Sequence, residues 1–407
     1  MSSSMIFDLD DTPKGQAKIK IIGIGGGGCN AIDKMIDYKL KGVEFIAINT
    51  DAQALKHSKA DVRIQIGLEQ TRGLGAGGDA QVGMSSVEED EARQKISNCL
   101  AGSDMVFIAA GMGGGTGTGA SSVVAGMAQD LGALTVAVVT KPFHFEGKAR
   151  MKRAEDGIVR LREKVDTLIV IPNERLISLV DKSTIYSKAF ELADNVLYNA
   201  AKSITDLINN KGVINRDFAD VRTTMKGMGD ALMGVGEADG EHRCVAAAQS
   251  AVQNTLLENV DITGAKGVLV YFCGNSDITM YEINDAMKVI NDRVGEDANI
   301  FFGLMIDQDM GEKVRVSIIA TGFDNSTTIS HSTQKNVKET DILLSDSLNF
   351  QKPAKKIDSY FEDEVEEEVE FVMEEKVINE NLGARYRLEN FDLLSFEKPA
   401  YYRNKRD

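Results

Sequence analysis

Seven residues limit this chain more than any others. Gly113-Gly114-Gly115-Thr116-Gly117-Thr118-Gly119 lie between an apolar run, DMVFIAAG, and a helical pattern, ASSVVAGMAQDLG. Five of the seven are glycine. Glycine gives up much conformational entropy on folding and adds no side chain to a core. A nest of backbone N–H groups that wraps a phosphate, with threonine hydroxyls as extra donors, accounts for such a composition.

A second loop repeats the theme. Gly23-Ile24-Gly25-Gly26-Gly27-Gly28 follows the strand-like KIKIIGIG, and a helix is expected to start near Cys29. A helix N-terminus there adds partial positive charge. This loop alone also matches G-x-G-x-x-G, with Asp51 closing the next strand, so a dinucleotide-binding oxidoreductase competes at this point. Two phosphate loops, each at the carboxyl end of a parallel strand, point instead to a polyphosphate gripped from both sides at a switch point. A third cluster, Gly73-Leu74-Gly75-Ala76-Gly77-Gly78, either closes over a terminal phosphate or is a flexible loop. No G-x-x-x-x-G-K-[ST] occurs, so no P-loop lysine is available.

The runs EFIAINT, LTVAVVT and TLIVIPN join the two strands above as Val/Ile-rich segments apolar on both faces, as buried parallel strands are. Alternation with helical patterns predicts a doubly wound α/β domain over 17–182. Residues 183–212 read as one long helix, apolar at Phe190, Ala193, Leu197, Ala200, Ile204, Leu207 and Ile208. A second, smaller α/β domain over 213–323 carries GVLVYFCG, NIFFGLMID and VRVSIIATGF, with helices near 241–254 and 280–293.

Residues 1–16 are expected to be loose, and 324–385 to form an acidic disordered linker. Asp358 to Glu375 holds ten acidic residues and no basic one. The end, 386–407, closes on EKPAYYRNKRD, which suits either a docking peptide or a solvated tail. With 46 Lys+Arg against 62 Asp+Glu, the net charge of −16 disfavours nucleic acid and anionic lipid as partners. Cys29, Cys99, Cys244 and Cys273 show no disulfide or zinc spacing, and no metal-ligand motif appears. The start lacks a signal peptide's basic and apolar regions, and no run is long enough to span a membrane, so a cytoplasmic protein is expected.

GGGTGTG at 113–119 resembles the signature of the tubulin/FtsZ family. GGGGCN (25–30), NTD (49–51), TRGLGAGG (71–78), TKPFHFEGKAR (140–150), IPN (171–173), AFELADNVL (189–197) and NRDFADVRT (215–223) follow in the family's order. The resemblance covers about 17–323 and is nearer to the bacterial FtsZ branch than to tubulin. It implies a tubulin-like fold: a Rossmann-like parallel-sheet GTPase domain, a central core helix, a C-terminal GTPase-activating domain, and a linker and tail.

The resemblance further implies a GTP-binding, GTP-hydrolysing protein that polymerises head-to-tail into the midcell division ring. Gly26, Gly27, Gly28, Cys29, Gly113, Gly114, Gly115, Thr116 and Gly117 would cradle the phosphates. Ala76 and Gly77 would lie near the terminal phosphate and its Mg2+. Glu146 and Arg150 would meet the ribose and phosphate region, and their i,i+4 spacing puts them on one side of a helical turn. Asn30, Asn173 and Asp194 would recognise guanine, with Phe190 stacked on it. Asp217 and Asp220, helped by Asn215, would reach the nucleotide of the next subunit and polarise the attacking water. The tail would dock membrane-tethering adaptors such as FtsA. The chain departs from the family pattern at Asp79-Ala80, Arg216 and Lys398.

Overall fold

The computed structural model describes residues 17–177, 185–209, 217–253, 262–295 and 297–323. The expected segments 1–16, 324–385 and 386–407, the boundaries at 182/183 and 212/213, and Asn215 and Arg216 lie outside them. Among the described residues no helix is long and apolar enough to cross a membrane.

The first half alternates strands and helices. In chain order these are β1 (Ile19–Ile24), α1 (Gly25–Asp37), β2 (Val43–Asn49), α2 (Ala52–His57), β3 (Val62–Gln65), α3 (Leu68–Thr71), α4 (Ala80–Glu88), α5 (Asp90–Leu100), β4 (Met105–Gly111), α6 (Thr116–Asp130), β5 (Leu134–Lys141), α7 (Lys148–Arg162), β6 (Thr167–Pro172) and α8 (Asn173–Ile177). The second half holds α9 (Tyr186–Asn209), α10 (Phe218–Met225), β7 (Gly229–Ala238), α11 (Arg243–Gln253), β8 (Gly267–Gly274), α12 (Met280–Val294), β9 (Asn299–Ile306) and β10 (Val314–Thr321).

The ten strands among the described residues join one mostly parallel sheet in the order β3-β2-β1-β4-β5-β6-β7-β10-β8-β9. The two α/β segments expected from the sequence meet where β6 pairs with β7 over three residues, Thr167 to Ile169. β10 runs antiparallel to both β7 and β8. Strand order reverses between β1 and β4, which makes the crevice beyond their carboxyl ends the natural ligand site of such a sheet.

Strand alternation splits the core. In β4, Met105, Phe107 and Ala109 face a cluster shared with α1 and α9. Val106, Ile108 and Ala110 face a second cluster shared with α6 and α7. Central strands buried on both faces have no polar side to show, which is why they read as unbroken apolar runs. β8 repeats the pattern: Leu269, Tyr271 and Cys273 face α9, while Val268, Val270 and Phe272 pack under α11 and α12. α9 therefore packs on strands of both halves. Its inner face carries Ala193, Leu197, Ala200, Ala201, Ile204 and Leu207.

Three expectations change. Helix α1 begins at Gly25, not near Cys29, so the first glycine loop is itself the opening turn of the helix. β3 and β7 escape a reading based on Val/Ile content. β3 has four residues. β7, GDALMGVGEA, is broken by glycine because α11 lies directly on it: a Cβ added at Gly236 would sit 2.1 Å from the Ala247 carbonyl oxygen. The Glu146–Arg150 pair is not carried on one helix, since a 3-10 turn at His144–Glu146 ends at Gly147 before α7 begins.

Candidate functional site

The loop leaving β4 and the first turns of α1 and α6 border a cleft of about 300 Å³. Gly26, Gly27 and Asn30 line it from α1. Gly114, Gly115, Thr116 and Gly117 line it from the second loop and α6, and of the other predicted residues Glu146, Arg150, Asn173, Phe190 and Asp194 also line it. The sequence reading missed Gly111, Met112, Thr140, Pro142, Ala193 and Leu197, which also form its wall. Being at strand ends and on the inner face of α9, these carry no signal beyond apolar or small character.

The glycines divide by what they do. A Cβ added at Gly28 would lie 2.2 Å from the carbonyl oxygen of Ala109, so that glycine lets α1 press on β4. A Cβ at Gly115 would lie 2.7 Å from the Ala76 side chain, so the loop at 71–79 packs against the start of α6. Gly26 and Gly114 differ. A Cβ at either would meet nothing within 4 Å, and neither has a positive φ. Neither packing nor backbone conformation requires glycine there. The open space lies over the cleft.

Gly28, Cys29 and Gly113 stand behind the lining. The Cys29 thiol faces the carbonyls of Gly23 and Ile48 at 3.6 and 3.8 Å, and burial pushes its pKa up to about 12, so it stays protonated. The Gly113 N–H donates to the Thr118 hydroxyl at 2.8 Å. Ala76 is buried against the second loop, and Gly77 takes a left-handed backbone.

The N-termini of α1 and α6 converge on the cleft and make its floor positive despite the acidic chain. Arg150 adds charge, paired with Glu146 at 3.0 Å. Glu146 also accepts the Phe143 N–H at 2.9 Å, which holds the pair in place across the break at Gly147. Arg153, which sequence reasoning passed over, donates to the Gly113 carbonyl at 3.2 Å and braces the loop from behind.

The far wall has a different chemistry. Asn173 opens α8 only 5% exposed, and its Oδ1 has no hydrogen-bond partner among the described residues. Asp194 faces the same cleft from α9, and burial lifts its carboxyl to about 7, against the opposing pull of Lys34. Lys34 is itself engaged by Glu191 at 2.8 Å. Phe190, half-buried, meets Phe143 edge-on at 5.3 Å and borders the cleft. An unpartnered buried acceptor, a desolvated carboxylate and an aromatic face together suit a flat heterocycle that presents N–H donors.

Asp217 and Asp220 are not part of this cleft. Asp217 stands exposed ahead of α10, and its side chain does not cap that helix. α10 leads into the amino end of β7, which pairs with the amino end of β6, whereas Asn173 follows the carboxyl end of β6. Six residues of strand, about 20 Å, separate the two edges.

A parallel sheet with two glycine loops at its switch point, bridged by a core helix, defines the nucleotide-binding fold of tubulin-like GTPases. The sequence profile of the Tubulin/FtsZ family GTPase domain matches residues 18–181, and that of the FtsZ family C-terminal domain matches 229–324. FtsZ of M. jannaschii, solved as an empty dimer, is 44% identical, with a TM-score of 0.73 over 76% of this chain and 89% of its own. A mutant of that FtsZ gives the same identity and TM-score, with 92% of its chain covered. CetZ2 from Haloferax volcanii, solved as a GTPγS-bound protofilament, shares the fold at 18% identity, with a TM-score of 0.65 over 76% of this chain and 94% of its own. This chain belongs to the FtsZ family, whose members are GTP-binding, polymer-forming proteins of cell division.

Proposed function

We propose that this protein holds GTP in the cleft and hydrolyses it when a second copy completes the site, so that head-to-tail filaments form and build the midcell division ring. The observation that carries this reading is the pair Gly26 and Gly114: glycines that only an occupant close to the backbone explains. A triphosphate laid across the starts of α1 and α6 takes its hydrogen bonds from Gly26, Gly27 and the 114–117 backbone, with Ala76 and Gly77 beside its terminal phosphate. Gly28, Cys29 and Gly113 support this cradle from behind.

Guanine fits the far wall. Its N1–H and 2-amino group are donors for the Asp194 carboxylate, Asn30 and Asn173 supply further polar contacts, and Phe190 offers a stacking face. Glu146 and Arg150 lie toward the ribose and phosphates. Adenine has no N1–H and would leave Asp194 unpaired. Among the described residues no three metal-ligating side chains gather, so Mg2+ here would be held chiefly by phosphate oxygens and water, with its chemistry the neutralisation of phosphate charge.

Hydrolysis needs a group to orient the attacking water, and the exposed Asp217 and the half-buried Asp220 lie at the other edge of the sheet. Delivered by the next subunit, they meet the terminal phosphate; Asn215 is assigned the same role. A contact between two different faces is heterologous and propagates as a filament. Dimeric FtsZ at 44% identity supports this self-association. In this scheme 17–182 binds nucleotide, 183–212 links the halves, and 213–323 activates hydrolysis. To 324–385 falls the role of linker and to 386–407 that of a docking tail for membrane-tethering adaptors such as FtsA, in the cytoplasm.

The test is phosphate release across a protein concentration series, with light scattering alongside. Turnover per molecule should rise with concentration. Asp217→Ala should bind GTP normally yet lose about 100-fold in turnover. Normal turnover by that variant, or full turnover by isolated monomers, would overturn the shared site.

A further inference from the structure

Thr50 has no place in the scheme above, yet it is completely buried at the end of β2, directly behind the phosphate end of the cleft. Its hydroxyl lies 2.6 Å from the hydroxyl of Thr116, the first residue of α6 and part of the cleft lining. Each hydroxyl has one proton, so the pair can be ordered in two ways. If Thr116 donates to Thr50, Thr116 turns lone pairs toward the cleft and repels an anion. If Thr50 donates to Thr116, the Thr116 proton is released to point into the cleft.

We propose that Thr50 is a positioning residue that orders this pair as a relay, Thr50 O–H to Thr116 O–H to phosphate oxygen, and so converts Thr116 into an obligate donor toward the nucleotide. Hydrogen bonds in series polarise one another, and the gain is greatest when the last acceptor is charged and the chain is buried.

The surroundings suit such a node. The Thr50 carbonyl lies 3.3 Å from the Thr71 hydroxyl, which also reaches the Gly67 carbonyl at 2.8 Å and receives the Gly73 N–H at 3.2 Å. One residue further on, Asp51 forms an isolated bridge with Leu74, and Ala52 N–H donates to the Gly73 carbonyl at 3.0 Å. The backbone from the Thr50 carbonyl to Ala52 is thus tied to the 71–79 loop, while the Asn49 carbonyl before it accepts the Ile66 N–H at 3.1 Å. The side chain is aimed the other way, at α6. β2 holds Thr50 still while its hydroxyl acts on Thr116.

This inference rests on the phosphate cradle proposed above. The experiment uses the full chain and measures affinities for GTP, GDP and guanosine by competition with a fluorescent GTP analogue, alongside thermal unfolding. Thr50→Val keeps the shape and removes the proton. It should weaken GTP and GDP about 3- to 10-fold each and leave guanosine unchanged, because guanosine has no phosphate to receive the relay. Thr50→Ser should restore wild-type binding. In a Thr116→Val background, Thr50→Val should add no further loss. If Thr50→Val does not fold, Thr50→Ala should show the same split between phosphorylated and unphosphorylated ligands. Equal losses for all three ligands, full affinity without the hydroxyl, or failure of serine to rescue would overturn the relay. Absence of any guanine-nucleotide binding by the wild-type protein would instead overturn the cradle itself.

Discussion

Asp194 offers the sharpest test of the base pocket, because its titration falls within the accessible pH range. Burial raises its carboxyl to about 7. Guanine can use only the ionised form, since both N–H donors need an acceptor. Binding therefore releases a proton, and affinity falls as pH drops through the folded-state value. For a carboxyl at about 7 that must be ionised to bind, apparent affinity is reduced about 2-fold at pH 7 and about 11-fold at pH 6, relative to the high-pH limit. Guanosine is the ligand of choice, because phosphates titrate in the same range and would confuse the result. Calorimetry at pH 6, 7 and 8, in buffers of different ionisation enthalpy, reads both the affinity and the protons released. A guanosine affinity constant from pH 6 to 8, or a pH dependence that survives Asp194→Asn, would refute the assignment.

The same raised carboxyl sets a second expectation for the empty protein. The folded state holds this proton up to about pH 7, whereas the unfolded chain gives it up near the ordinary aspartate value, so stability should decline as pH rises between the two and Asp194→Asn should remove that decline, as measured by chemical denaturation at pH 5 and 8. Gly114→Ala should fold with an unchanged melting temperature but lose at least about 10-fold in GTP affinity, while Gly28→Ala should lower the melting temperature because its Cβ collides with the Ala109 carbonyl. Between α9 and β8, the Tyr271 hydroxyl donates to Asp206 at 2.5 Å, and Lys202 pairs with the same carboxylate at 2.9 Å. Tyr271→Phe should cost about 1–3 kcal/mol in urea denaturation by taking a donor from a buried carboxylate, and an unchanged midpoint would contradict that role.

Several of these tests act on residues whose type is plain in the sequence and whose role is not. GGGTGTG declares a loop built from backbone, but Gly28, which lets α1 approach β4, and Gly26, which has open space above it, look alike as letters. Only their distances to Ala109 and to the cleft separate them. The long period of α9 is legible because one helical stripe must face a core. That Asp194 on this helix looks into the same cleft as Asn173 depends on how α9 docks on α1 and β5, a matter of packing between segments far apart in the chain. β7 was hidden for the same reason: Gly236 answers to α11, not to its own strand.

Local order of the chain thus determined the buried strands, the glycine loops and the core helix, because hydrophobic period and glycine content act over a few neighbouring residues. Long-range packing alone decided which glycines stay open, that the Thr50 and Thr116 hydroxyls meet, and that Asp217 lies outside the cleft. Those are distances between elements, and no pattern within a single element encodes them.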